Sequence, residues 1–275
     1  MTVPAHCYVC GNAALEVLDK RAARCPQCDL LINLETEPVD YSELGNATDP
    51  GKQHWRRVNS QRRLMIIEPH LRNHRALVDI GCGSGQMLEA AAQRLPLRFG
   101  FDANPTLIRD IQQSADLRVE CGHFAAERLP EDIRNATKVF TLSHVLEHVV
   151  DPNALVAQIA AAMLPGDLLY LEVPLHTGQA FRTQGYDWSL WYHEHLCLYS
   201  PTALTALAAR SGLATAAAGT RIFARGSHSN KTRLRLLRQN PLAFLRALLT
   251  KPAYLSVADM LIADYGFLVL KMPDA

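Results

Sequence analysis

Residues 76–95 read ALVDIGCGSGQMLEAAAQRL, and the reading of this stretch decides the fold. LVDI is a short apolar run of the kind that forms a strand buried on both faces of a parallel sheet. GCGSG is a tight turn that leads into a helix. Gly81, Gly83 and Gly85 let the backbone approach a ligand closely and offer N–H groups beside the helix start. The spacing is G-x-G-x-G, with Asp79 two residues ahead of the first glycine. A carboxylate at that strand end suits a cationic, amine-bearing cofactor better than a pyrophosphate.

Downstream, the pattern repeats. LRFGFDAN (97–104) is a second apolar strand ending at Asp102, whose carboxylate is able to accept both hydroxyls of a ribose. VECGHFAAERLP, KVFTLSHVLEHV, LVAQIAAAMLPGDLLYLEVP and YGFLVLKM continue the alternation of strand and helix signals as far as residue 272. That alternation predicts an α/β, doubly wound sheet.

Upstream, four of the seven cysteines fall in CYVC and CPQC, at Cys7, Cys10, Cys25 and Cys28. Each C-x-x-C places two thiolates on one turn, and two such turns complete a tetrahedral structural zinc site with no open position. Residues 1–34 are therefore expected to form a zinc-binding ribbon, with a short hairpin between the two pairs. Residues 35–75 are expected to be a linker and lead-in helix. The polar ETEPVDYSELGNATDPGK reads as a loop. HWRRVNSQRRLMIIEPHLRNHRA has helical spacing, and its arginines read as a solvated face.

The totals exclude several classes. The chain has 275 residues, 48% hydrophobic and 20% charged, with a net charge of +1. Nothing global points to nucleic acid or a membrane surface, and no apolar run approaches the roughly 20 residues of a membrane span. MTVPAHCYVC lacks the charged-then-apolar order of a signal peptide. A cytoplasmic protein with reduced or metal-bound thiols is expected.

At this point the residues carry a family resemblance. VDIGCGSGQMLEAAA, GFDAN, SHVLEHVVDP and MLPGDLLYLEVP together resemble a class I S-adenosylmethionine-dependent methyltransferase, over about residues 60–275. A nicotinamide-binding domain spaces its glycines differently. The resemblance implies a Rossmann-like methyltransferase sheet in residues 76–275, behind the ribbon. By the same resemblance, Gly81, Gly83 and Gly85 border the cofactor's methionine moiety and Asp79 holds its ammonium. Asp102 binds the ribose, Ala103 borders the adenine, and Gly122, His123 and Phe124 pass the adenine rim. Ser143 and His144 lie beneath the sulfonium. Capping of adjacent turns is the plainer role for Asp79 and Asp102.

WYHEHLCLYS (191–200) has two histidines around a glutamate. H-E-H lacks the H-E-x-x-H spacing of a zinc-protease helix. In an extended segment His193 and His195 would share one face, and a hydrogen-bonded pair at the edge of the core is the plain reading. Together with the four-cysteine motif, the segment resembles the zinc-containing sugar C-methyltransferases, which act on nucleotide-linked keto-sugars. That resemblance implies His195 as general base, assisted by Tyr192 and Glu194. The segment's place beyond the strand LYLEVP is expected to make Trp188, Trp191 and Tyr199 walls of the pocket. No counterpart of that family's second Rossmann-like half is expected within these residues. The expected partner is a small-molecule acceptor: a nucleotide sugar, a glycan building block or a natural-product intermediate. Quinone-type O-methylation is the enzymatic alternative, and a non-enzymatic zinc-ribbon binding protein is the alternative of another class.

Three features remain. HVLEH (144–148) matches the inverted protease pattern H-x-x-E-H, but after a strand it is expected to pack and hydrogen-bond rather than bind metal. The basic segment 221–251, overlapping a helical insert near 227–262, has several readings: a solvated face, a cover for the site, a surface for a homodimer or an attraction for substrate phosphate. Cys121 and Cys197 are expected to be small buried fillers.

Overall fold

The computed structural model describes residues 3–37, 50–114, 117–221, 254–256 and 263–274. Strands β1 (Glu16–Val17), β2 (Ala22–Arg24) and β3 (Leu31–Asn33) lie in the N-terminal ribbon. The larger sheet uses β4 (Ala76–Ile80), β5 (Leu97–Asp102), β6 (Arg118–Cys121), β7 (Lys138–Ser143) and β8 (Leu168–Pro174). The two-residue β9 (Cys197–Leu198) follows, then β10 (Ala214–Arg221), β11 (Tyr254–Ser256) and β12 (Tyr265–Lys271).

In the larger sheet the strand order is β11-β10-β12-β8-β7-β4-β5-β6. β4, β5, β6, β7 and β8 run parallel, whereas β12 runs antiparallel between β8 and β10. β4 and β8 are buried along their whole length, as largely apolar strands covered on both faces should be, although each holds one carboxylate, Asp79 and Glu172. The predicted doubly wound sheet is present.

Helices cover both faces. On one, α1 (Pro50–Ile67) and α2 (Gln86–Ala90) accompany a cluster with Leu64, Ile67, Leu88, Tyr170 and Phe267, into which Ile108 and Ile111 of α3 (Pro105–Ser114) also pack. On the other, α5 (Pro152–Ala161) and α7 (Pro201–Arg210) pack around Phe101, Phe140, Leu171 and Leu204, with the short α4 (Glu131–Arg134) contributing Ile133. The short α6 (Gln179–Gln184) lies between β8 and β9 in the chain. D-P and S-P start α5 and α7: Asp151 accepts the Ala154 N–H, and Ser200 accepts the Ala203 N–H. A side-chain cap followed by proline is the sequence signal for such starts. The segment 50–52, assigned from sequence to a polar loop, is the first turn of α1.

The ribbon is not an appendage. Its cysteines and Leu30 belong to the same apolar cluster as Phe140 and Leu171 of the large sheet. β3 pairs antiparallel with β9, so the small sheet has the order β1-β2-β3-β9 and takes its last strand from the C-terminal half of the chain. Two other expectations change. Arg221, assigned to a basic surface, ends β10 fully buried, and Tyr254–Ser256, placed in a helical insert, is a strand paired with β10. The rest of that insert, and residues 38–49 of the linker, lie outside the described residues.

Candidate active site

The glycine turn leaves β4 with Gly81 at φ 74°, Gly83 at 54° and Gly85 at 82°. This is the left-handed region, where a side chain strains the backbone. At Gly81 a Cβ would also stand 2.5 Å from the Val145 side chain. Asp102, at the end of β5, accepts N–H bonds from Gly83 at 2.8 Å and Asn104 at 2.9 Å. Each oxygen is thereby held in place with a lone pair to spare.

Two cavities open at the carboxyl ends of these strands, where ligands of open α/β sheets collect. One, of about 470 Å³, is lined by Phe101, Asp102, Ala103, Gly122, His123 and Phe124. The other, of about 330 Å³, is lined among others by Arg56, Asp79, Ser143, Tyr192, His195 and Tyr265. Gly81, His144 and His148 border both, and Gly83 borders the second. Gly85 borders neither. It is the residue before α2, and a Cβ there would meet Leu117 at 2.8 Å.

Asp79 is buried, and burial pushes its carboxyl up to about 7 despite the Thr141 hydroxyl that donates to it at 2.6 Å. The buried Ser143 hydroxyl has no partner among the described residues. His144 adopts φ 60°, unusual for a residue with a Cβ and a mark of constrained sites. Its ring lies 3.1 Å from Glu147 Oε1 and 3.3 Å from Glu172 Oε1. Burial opposes its charge, but those two carboxylates win and raise its pKa.

Glu172 anchors the floor. Arg63 and Arg221 both bond its carboxylate, Tyr170 donates at 2.8 Å, and Arg221 continues to Asn59 at 2.7 Å. Burial alone would raise Glu172, but the two guanidinium groups hold it well below the usual range. The α1 arginines expected to be a solvated face thus include Arg63, which is buried, and Arg56, which bonds Ser84 across the cavity at 3.2 Å. Arg56, Asn59, Ser60 and Arg63 all line the cavity; their helical spacing was the available signal.

The YHEH segment is a turn rather than an extended strand, so its two histidines part company. His195 is 3% exposed, whereas the His193 side chain is 54% exposed. Because a carbonyl only accepts, His195 Nδ1 must donate to Leu190 O at 2.8 Å, which leaves Nε2 as the ring's proton acceptor. Burial lowers His195 to about 4. It is neutral at neutral pH, below the near-neutral value ordinarily associated with histidine.

Glu194 does not line the cavity; only its backbone carbonyl takes part, accepting from His148 Nδ1 at 3.0 Å. The carboxylate beside His195 is instead Glu147, 3.9 Å away. Glu147, His148 and His195 bring atoms able to ligate a metal within 4.8 Å of one another. Trp188 and Trp191 are not walls of the pocket either; they pack against Ala22, Leu31 and Leu198 beneath the ribbon. Tyr199 is buried in the core, its hydroxyl donating to Leu146 O. Cys197 is buried as expected, but Cys121 is exposed.

In the ribbon, Cys7 and Cys28 sulfurs lie 3.5 Å apart and those of Cys10 and Cys25 3.4 Å apart, with all four within 4.8 Å. Zinc–sulfur bonds of about 2.3 Å in a tetrahedron place sulfurs about 3.8 Å apart, so the residues fit such an ion. Gly11 and Asp29, each directly after the second cysteine of its pair, both have positive φ, at 76° and 62°.

The strand order, the antiparallel β12 and the cavities at the strand ends define a class I methyltransferase fold. The chain belongs to the methyltransferase-domain family, whose profile matches residues 53–218. It is 26% identical over 154 residues to the ubiquinone biosynthesis O-methyltransferase of Coxiella burnetii (strain RSA 331 / Henzerling II), covering 50% of this chain and 64% of the relative. Against the enzyme of the same name from Pseudomonas fluorescens (strain SBW25) the figures are 27% over 144 residues, 48% and 62%. The chain therefore matches less than two thirds of the length of these relatives.

Among solved structures, the plantazolicin methyltransferase BpumL in complex with SAH is similar at a TM-score of 0.51 and 17% identity, covering 82% of this chain and 91% of that one. A SAM-dependent methyltransferase from Archaeoglobus fulgidus gives 0.52 and 18%, with coverage of 80% and 97%. These likenesses support the fold. Among the described residues, no helix is long and apolar enough to cross a membrane.

Proposed function

We propose that this chain is an S-adenosylmethionine-dependent methyltransferase of a small molecule, with zinc as a structural ion in the ribbon and His195 as general base. The observation that carries the reading is the meeting of the two cavities at Gly81, His144 and His148, with His195 on the side away from Asp102. Asp102 receives the ribose hydroxyls, Ala103, Gly122, His123 and Phe124 border the adenine, and Asp79 faces the ammonium. The unpartnered Ser143 hydroxyl is suited to the region near the sulfur. Bound S-adenosylmethionine supplies an activated methyl group on a sulfonium. The chain's own residues supply the rest.

His195 Nε2 removes the acceptor's proton, and Glu147 favours the imidazolium that results. Tyr192 donates a hydrogen bond to the oxygen on which charge develops. If the acceptor carbon lies beside a ketone, that oxygen is an enolate; if the acceptor is a hydroxyl, the same base serves. A keto-sugar, free or nucleotide-linked, is the first reading, supported by the pairing of a four-cysteine ribbon with the YHEH segment. Glu194 contributes through its backbone carbonyl, which accepts from His148, rather than through its carboxylate. A second reading, O-methylation of a quinol-like ring, is favoured by the curated relatives.

The test incubates the protein with methyl-labelled S-adenosylmethionine and either a deoxy-keto-sugar nucleotide or a catechol. Label on carbon resists ether cleavage, whereas label on oxygen is released. Absence of S-adenosylhomocysteine binding by calorimetry would overturn both readings.

A further inference from the structure

The ribbon and the His195 turn are built on one another. Leu31 and Ile32 of β3 pair with Leu198 and Cys197 of β9. The pairing runs on past the strands: the Asn33 N–H donates to Leu196 O at 2.9 Å. The Asn33 side-chain amide then donates twice, to Tyr192 O at 3.1 Å and to His195 O at 3.0 Å. These carbonyls stand at the two ends of the turn, which the His195 N–H closes onto Tyr192 O at 3.0 Å. The Asn33 side-chain Oδ1 accepts the Glu35 N–H. Asn33 is buried, and both donors and its acceptor are used.

Further bonds reach the ribbon from the opposite side. Ser200 donates to Cys28 O at 3.2 Å, and His176 Nε2 donates to Asp29 O at 2.8 Å. Trp191 Nε1 donates to Glu35, which is itself paired with Arg21. The path from the metal knuckle to Asn33 is short and stiff. The Cys25 N–H bonds Leu30 O, the Asp29 N–H bonds Cys25 O, and β3 begins at Leu31. A ribbon that served only to cap the fold would need none of its side-chain bonds on the backbone of this one turn.

We propose that Asn33 is a positioning residue: carried on the metal-bound ribbon, its amide sets the place of His195 in the cavity, so that occupancy of the four-cysteine site governs the geometry of the base. The positioning stands on the geometry, while its consequence for turnover rests on the reading of His195 given above. A misplacement of about 1 Å at a reacting group is enough to cost roughly 10²-fold in rate.

The experiment uses the full, zinc-loaded chain labelled with ¹⁵N-histidine, the His195 signal being assigned by its loss in His195→Gln. Asn33→Asp keeps the side chain's shape and its acceptor but removes both donors. The expected result is a shifted, broadened His195 signal with zinc content, circular dichroism and S-adenosylhomocysteine affinity unchanged, and turnover reduced through kcat. Stripping zinc from the unaltered protein with a chelator should move the same signal in the same way.

An unmoved His195 signal in the folded variant, or in the stripped protein, overturns the proposal. If Asn33→Asp does not fold, the chelation arm alone decides. Loss of cofactor affinity together with the His195 shift in both arms would also overturn it, in favour of a general loss of structure. A moved His195 signal with normal turnover in His195→Gln would uphold the positioning and sink the base.

Discussion

Glu147 Oε1 lies 3.9 Å from His195 Nε2, although the two residues come from motifs on opposite sides of β8. Glu147 is buried, and its second oxygen has no partner among the described residues. If His195 is the base proposed above, transfer of a proton to Nε2 creates a cation that Glu147 is placed to stabilise. Burial and hydrogen bonding already tie the other ring nitrogen to Leu190 O. Replacing His195 with Gln should therefore cut turnover by roughly 10²- to 10⁴-fold, the usual contribution of a positioned base, with cofactor affinity retained. Steady-state rates beside calorimetry check it, and normal turnover would make the residue structural.

Asp102→Asn should weaken S-adenosylhomocysteine binding about 10- to 100-fold, since hydrogen bonds to a charged group contribute about 1.5–3 kcal/mol. Calorimetry reads this directly. Unaltered affinity would leave Asp102 with only the turns at Gly83 and Asn104 to hold.

Cofactor affinity should depend on pH through Asp79. Burial raises its carboxyl to about 7 in the free protein. A bound ammonium favours the carboxylate and so lowers that value. Binding therefore releases a proton, and affinity falls as pH drops through about 7, about tenfold per pH unit until the bound-state value is reached. Asp79→Asn should bind more weakly at pH 8 and lose this slope. A flat profile from pH 8 to 5.5 in the unaltered protein would remove Asp79 from the ammonium site.

One zinc per chain is expected by elemental analysis of reduced protein. Cys25→Ser should lower that figure sharply and lower the thermal midpoint, because binding to a structural site is coupled to folding. Metal-free protein of unchanged stability would show that the knuckles close without an ion.

Glu172→Gln should cost about 3–5 kcal/mol of stability, the usual effect of leaving buried charges without their counterion. Arg63 and Arg221 would both be left facing a neutral amide. Denaturant unfolding measures it, and a loss below about 1 kcal/mol would mean that the network relaxes or admits water.

Legibility in the sequence followed the range of each interaction. The glycine turn, Asp102 and the two C-x-x-C pairs are local patterns whose geometry follows from a few neighbouring residues, and they were readable. Glu147 could not be named as the neighbour of His195, because nothing local relates HVLEH to YHEH; Glu194 stood adjacent and took the role by proximity. Trp188 and Trp191 suggested a pocket wall, yet their surroundings depend on where the ribbon docks. Arg221 read as surface because its counter-charge, Glu172, lies on another strand. Arg56 and Arg63 were assigned to solvent because a run of arginines does not reveal which side of its helix is covered.

The β3–β9 pairing also bears on the order in which the chain acquires its shape. Cys7 and Cys28 are separated by 21 residues, whereas Asn33 and His195 are separated by 162. Loop-closure entropy grows only with the logarithm of that separation, but contacts remote in sequence are made late because they repay the loss of freedom last. The four cysteines are thus able to come together before the residues that follow them have left a ribosome. The fourth strand of their sheet has to wait for nearly the whole domain, and His195 with it. A nascent chain halted before residue 191 would hold its four cysteines together while lacking the histidine proposed as the base.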